Sequence, residues 1–99
     1  MKFDQIKWID TSAEKGNNAI QAYIKFKDSE FKMSVVRFAG SYGFELHRYE
    51  LGIFKGDDMV SYPPITHEDE TVRGWIKPHQ IEQYINKMAK MLDAEPYQD

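Results

Sequence analysis

The strongest constraint on this chain is an apolar stripe in its last quarter. From Ile81 onward the apolar residues fall at Ile81, Tyr84, Ile85, Met88, Met91 and Leu92. Steps of three, four and seven set them along one side of an α-helix. Pro78 suits the first turn, where its missing N–H breaks no bond. Lys87 and Lys90 stand where the helix dipole favours cations. A helix with one apolar side has to bury it against a second layer, and the segments before it read as strands.

Ile20, Ala22, Ile24 and Phe26 alternate with Gln21, Tyr23, Lys25 and Lys27, the period of a strand with one wet face. After Asp28-Ser29 the alternation resumes at Phe31, Met33 and Val35. A hairpin that sets Phe26 across from Phe31 places Ile24 against Met33 and Ala22 against Val35. Slipping it by one residue would set Phe26 against Lys32, so the pattern selects the register. The same register sets Tyr23 beside Ser34 and Lys25 opposite Lys32, a mildly repulsive pair.

Phe3 to Ile9 reads as a first strand with Ile6 and Trp8 on one face, followed by a polar loop from Thr11 to Asn18. Ala39 to Gly43 reads as a turn, and Phe44 to Phe54 as one strand bent near Gly52. Lys55-Gly-Asp-Asp58 is a turn signal, Met59 to Tyr62 the returning strand, and Pro63-Pro64 its stop. Val72 to Ile76 is a short last strand that feeds the helix. The expected fold is a single α+β domain over residues 1–99: an antiparallel β-meander of about five strands with a C-terminal α-helix packed on one face. The tail is expected to fray from residue 95. One helix covers one face of such a sheet, which leaves the other for solvent, loops or a partner.

Cysteine is absent, which excludes disulfides, thiolate metal sites and a cysteine nucleophile. The start of the chain lacks an apolar signal core, and no run approaches the roughly 18 apolar residues of a membrane span. A cytoplasmic protein without membrane contact is expected. The net charge of −3 is too small to indicate a nucleic-acid partner, but it is unevenly spread. Residues 1–50 carry eight Lys and Arg against seven Asp and Glu, and residues 51–99 carry five against nine.

Three groupings invite a chemical reading. His67-Glu-Asp-Glu70 holds metal-ligand types, but four consecutive ligands in an extended loop cannot converge on one ion. It also matches neither H-E-x-x-H nor a calcium-loop spacing. Asp57 and Asp58 would supply a second pair of oxygens if the two loops lie close. A solvated acidic loop is preferred over a metal site, and a loop that steers a basic partner is the reading between them. Tyr23, Lys25, Lys27 and Lys32 combine cations with a ring, the ingredients of a single-strand surface. A solubilising, edge-protecting lysine face accounts for them as well. His47, His79 and the five serines show no partnered nucleophile or base, and Trp75 after Gly74 reads as a core or core-edge anchor.

These features favour a small non-enzymatic module that binds another protein through a basic surface on that partner. Asp57, Asp58, Tyr62, Glu68, Asp69 and Glu70 are the candidate contacts, with no catalytic residue, metal or cofactor. In length, acidity and strand-then-helix ending the chain is similar to short accessory proteins of phages and mobile elements, some of which block host enzymes. That likeness implies an inhibitor or regulator. A nucleic-acid-binding module using the basic face is the second reading, and a small metal-dependent enzyme around His67 to Glu70 the third.

Overall fold

The structure, a computed structural model, describes residues 1–15, 18–37 and 48–99. Among these the elements run β1 (Ile9–Asp10), α1 (Ser12–Lys15), β2 (Ile20–Phe26), β3 (Phe31–Arg37) and β4 (Tyr49–Lys55). They continue with β5 (Asp58–Val60), β6 (Val72–Ile76), α2 (Pro78–Leu92) and β7 (Pro96–Tyr97). The fold is α+β: one antiparallel sheet in the meander order β1-β2-β3-β4-β5, with α2 packed against it.

The centre of the sheet is three seven-residue strands, β2, β3 and β4. The β2–β3 register pairs Ala22 with Val35, Ile24 with Met33, Tyr23 with Ser34 and Lys25 with Lys32. This is the alignment the alternation selects, and its continuation brings Phe26 level with Phe31. Each outer edge is shared by two short strands. Along β2, β1 pairs at Ile20 and Gln21 while β7 pairs at Lys25 and Phe26. Along β4, β5 pairs at Ile53 to Lys55 while β6 pairs at Tyr49 to Gly52. Val72–Ile76 therefore lies beside β4, and the 61–71 loop leaves the sheet between β5 and β6.

Ala22, Ile24, Phe26, Met33, Val35, Leu51 and Ile53 of the inner face are buried with Ile81, Ile85 and Met88 of α2. Tyr84 and Leu92 are half-buried at the sides of that stripe, and Met91, at its far end, is exposed. Gln83 and Lys87 are exposed, as the helical spacing requires. Gln80 is half-buried instead, because its Oε1 accepts a hydrogen bond from the Lys77 N–H at 2.9 Å and caps the helix. The helix stops at Asp93, which takes the left-handed conformation with φ 49.

The N-terminal segment departs from the expected strand. Phe3–Gln5 forms a 3₁₀ turn, and the strand is only Ile9–Asp10. The turn lets Phe3 pack its ring 5.8 Å from both Trp8 and Tyr49, while Ile6 is buried in the core. Alternation of Ile6 and Trp8 therefore reflects two separate packing sites rather than one strand face. Within the expected 11–18 loop, Ser12–Lys15 form one helical turn. The bend expected near Gly52 does not interrupt the pairing of β4, whose register with β3 is unbroken from Glu50 to Lys55. The readings on Phe38, on the 39–43 turn and on residues 44–47, His47 included, lie outside the described residues.

The tail expected to fray is tied down. Pro96 and Tyr97 pair with Phe26 and Lys25. The Gln98 side-chain amide acts like a peptide group. Its Oε1 accepts from the Lys7 N–H at 2.8 Å, and its Nε2 donates to Lys7 O at 3.0 Å and Tyr23 O at 3.2 Å. Glutamine and proline near a chain end read as disorder in sequence. Here Pro96 belongs to β7, and Gln98 fills the interval of the β2 edge that β1 and β7 leave open. No described helix is long and apolar enough to cross a membrane.

Candidate protein-interaction surface

The β4–β6 ladder pairs Gly52 with Val72, Leu51 with Arg73 and Tyr49 with Ile76. Gly74 and Trp75 therefore stand against Glu50 alone, which is a β-bulge. Trp75 takes φ 61, a left-handed conformation disfavoured for a bulky residue. The bulge re-aims its side chain, and Trp75 is 59% exposed. This overturns the expectation that Trp75 is a core or core-edge anchor. Gly74 before it is the one sequence signal of a bulge, and that signal does not say which way the next side chain turns.

Beside Trp75 lies the acidic loop. A surface cavity of about 620 Å³ is lined by His67, Asp69, Glu70, Val72 and Trp75 among others. Glu68 is exposed in the same turn, which the Glu70 N–H closes by donating to His67 O at 3.0 Å. The loop is anchored from below. Arg73 Nε donates to Ile65 O at 2.8 Å and Nη2 to Pro64 O at 3.1 Å, and its guanidinium lies 4.9 Å from the Tyr84 ring centroid. Tyr62 N–H donates to Thr66 Oγ1 at 2.7 Å, and Thr66 and Ile65 are fully buried. The acidic tip thus stands on a fixed base, joined to both the sheet and the helix.

The six candidate contacts do not form one patch. Glu68, Asp69 and Glu70 belong to the Trp75 surface. Asp57 and Asp58 are exposed at the β4–β5 turn, at the other end of β5, with Asp58 paired to Lys55 in the ladder. Tyr62 is half-buried, its ring 5.0 Å from that of Phe31, so it serves packing instead of presenting a free face. Among the described residues no three His, Asp or Glu side chains approach closely enough to hold a metal ion.

The sheet face away from α2 carries the second candidate group. Strand pairing places Ile9, Gln21, Tyr23, Lys25, Lys32, Ser34, Phe54, Met59 and Tyr97 on it. Ile9, Tyr23, Met59 and Tyr97 are exposed there. Gln21 Nε2 donates to the Tyr23 hydroxyl at 2.8 Å and to Ser34 Oγ at 3.0 Å, which satisfies the buried amide. Lys25 forms an ion pair with Asp99, and this carboxylate holds its ammonium above the ordinary lysine range. Lys32 places its ammonium 5.1 Å from the Tyr23 ring centroid and 5.4 Å from that of Phe54. Lys27 lies beyond β2 in the turn, its N–H donating to Glu95 O at 2.9 Å. Tyr23, Lys25 and Lys32 are brought together and Lys27 is not.

The chain matches no protein-family model, and neither the curated proteins nor the solved structures yield a match.

Proposed function

We propose that this chain is a small non-enzymatic protein-binding module, an inhibitor or regulator of the kind carried by phages and mobile elements. Its contact surface is Trp75 with the acidic loop Glu68 to Glu70, and its partner presents a basic face. The observation that carries this reading is the exposure of a tryptophan at a strained bulge beside three carboxylates. Tryptophan is among the residues that dominate interface energetics when a partner buries them, and acidic groups around it speed encounter with a basic surface. Strain of this kind persists where the surrounding structure enforces it, often at binding sites. Asp57 and Asp58 extend the negative field along the same sheet edge without touching the central contact.

Nucleic-acid tracking along the basic face has weaker support. Lys25 is already paired with Asp99 and Lys27 stands off the face, so these lysines do not form a row of free cations. The test of the leading reading is a parallel capture with wild type, Trp75→Ala and the Glu68→Lys/Asp69→Lys/Glu70→Lys variant, followed by binding kinetics on the captured protein. A partner held by wild type, released faster from Trp75→Ala and joined more slowly by the triple variant is expected. A partner that binds all three with the same kinetics at low salt removes this surface from consideration.

A further inference from the structure

The sheet face away from α2 contains a second cavity, of about 290 Å³, at the interval between β1 and β7. Its charged side chains are Lys7, Lys25 and Lys32 against the one side-chain carboxylate of Asp99. In a chain of net charge −3 this is a local reversal of sign. Its apolar side chains on this face are Ile9 and Tyr23. Trp8 borders the cavity but packs its ring on Phe3 and Tyr49, on the side of the core. The Gln98 amide fixes the rim by joining Lys7 to Tyr23.

Two features mark the cavity as an anion site. Lys25 already holds a carboxylate there, that of Asp99, delivered by a tail whose strand is only two residues long. Lys32 is held in place by two rings and forms no ion pair among the described residues. Among the described residues it is a positioned cation without a counter-charge. Three ammonium groups with one carboxylate match a phosphate monoester, which carries about −1.5 to −2 at neutral pH. Charge-assisted hydrogen bonds from lysine suit such a group. The volume stands near the lower end of the roughly 300–1,000 Å³ typical of ligand pockets, so the body attached to the phosphate is small.

We propose that this cavity binds a small aromatic phosphate monoester, up to the size of a nucleoside monophosphate. The lysines take the phosphate, the apolar wall takes the ring, and Asp99 competes for Lys25. This site is independent of the Trp75 surface, and neither assignment depends on the other.

The test is an amide-resolved NMR titration of the full chain with AMP, adenosine, inorganic phosphate and a single-stranded oligonucleotide. AMP is expected to shift Ile9, Tyr23 and Lys32, with adenosine and phosphate each at least about tenfold weaker, since each keeps only half of the contacts. Asp99→Asn is expected to tighten AMP binding severalfold, and Lys32→Gln to weaken it about tenfold, the loss of one charge-assisted bond. Both positions are on the surface, and a thermal melt of each variant confirms that it is folded. The assignment is overturned if AMP at millimolar concentration shifts none of these amides in folded Asp99→Asn. It is also overturned if adenosine binds as well as AMP. An oligonucleotide that binds far more tightly than AMP, with a steep salt dependence, would identify a strand-binding face in its place.

Discussion

Lys25 and Lys32 face each other directly across the β2–β3 ladder, and each charge is met by a different device. Lys25 is met by the carboxylate of Asp99, and Lys32 by the rings of Tyr23 and Phe54. Two like charges opposite one another repel, so removing either device exposes the repulsion. Asp99→Lys should melt below wild type. Lys25→Glu loses the Asp99 ion pair but sets a carboxylate directly across from Lys32, so it should melt near wild type. The double variant Lys25→Glu/Asp99→Lys, with a carboxylate between two ammonium groups, should recover what Asp99→Lys loses. An Asp99→Lys variant that melts like wild type would show that the pair has no effect in solution.

Ile85 is fully buried between the helix and the inner face of the sheet. Ile85→Ala should cost on the order of 2–4 kcal/mol through lost transfer energy and a residual cavity. For a domain of this size that corresponds to a fall in Tm of about 10 °C or more. A melt within a degree or two of wild type would mean that α2 does not close the core as described.

Trp75 offers a substitution in which stability and binding are expected to part. Its φ of 61 is a conformation that glycine adopts freely and tryptophan does not. Being mostly exposed, the indole contributes little burial to the fold. Trp75→Gly should therefore match or exceed wild type in thermal stability, by up to about 1–2 kcal/mol from relieved backbone strain, while losing the protein partner. A Trp75→Gly chain that melts well below wild type would place the indole in the core after all.

Gly52 sits where Met59 crosses the outer sheet face. A Cβ built on Gly52 would stand 2.7 Å from Met59 Cε and 3.4 Å from Thr71 O. The methionine tip is the far end of an exposed, flexible side chain and can swing aside, whereas the Thr71 carbonyl cannot. Gly52→Ala should cost less than about 1 kcal/mol, and Gly52→Val on the order of 1–3 kcal/mol by overpacking. Equal urea midpoints for the two variants would contradict this geometry.

Alkaline pH should destabilise the fold. Burial raises the Tyr49 phenol above its ordinary value of 10.0, an effect that Arg37 partly opposes. The unfolded chain therefore ionises Tyr49 first. The stability linked to this group is intact below pH 10.0 and declines as pH rises from there through the folded value. Lys25, raised above 10.5 by Asp99, acts in the same direction, because the ion pair is lost as the ammonium deprotonates. Melts recorded from neutral pH into this range should fall, and Tyr49→Phe should fall less steeply. Parallel curves for the two proteins would exclude Tyr49 as a contributor.

The parts of the fold legible in the sequence are those governed by strict periodicity. The Ile20 to Val35 hairpin has a single register that keeps Ile24, Met33, Ala22 and Val35 on one side, and the Ile81 to Met88 stripe has a single buried face. The illegible parts depend on contacts distant in sequence. Phe3 turns because Trp8 and Tyr49 await its ring, and residues 96–99 are ordered because Lys25, Tyr23 and Lys7 receive them. Of the candidate site, the acidity of Glu68 to Glu70 is plain in the sequence. The outward turn of Trp75 is not, since it depends on a bulge against Glu50 that local sequence does not encode. Trp8, Ile9, Gln98 and Asp99 carry no local signal as site residues, because each lies near a terminus and acquires a role only when both termini meet on β2.

The divided edges of the sheet have a consequence for how the molecule opens. The amides shared by β2, β3 and β4 are expected to exchange with solvent only when the whole sheet comes apart. A two-residue strand such as β1 or β7 is held by few backbone bonds and can detach while the centre stays closed. Amide hydrogen exchange should therefore resolve a slow central block and faster margins that open separately. Both candidate sites lie at breaks in those margins, one between β1 and β7, the other where the 61–71 loop leaves the sheet between β5 and β6. A ligand or partner seated at either break would bridge two pieces that otherwise open independently. Its binding should be readable as slowed exchange at the margin, with the central strands unchanged.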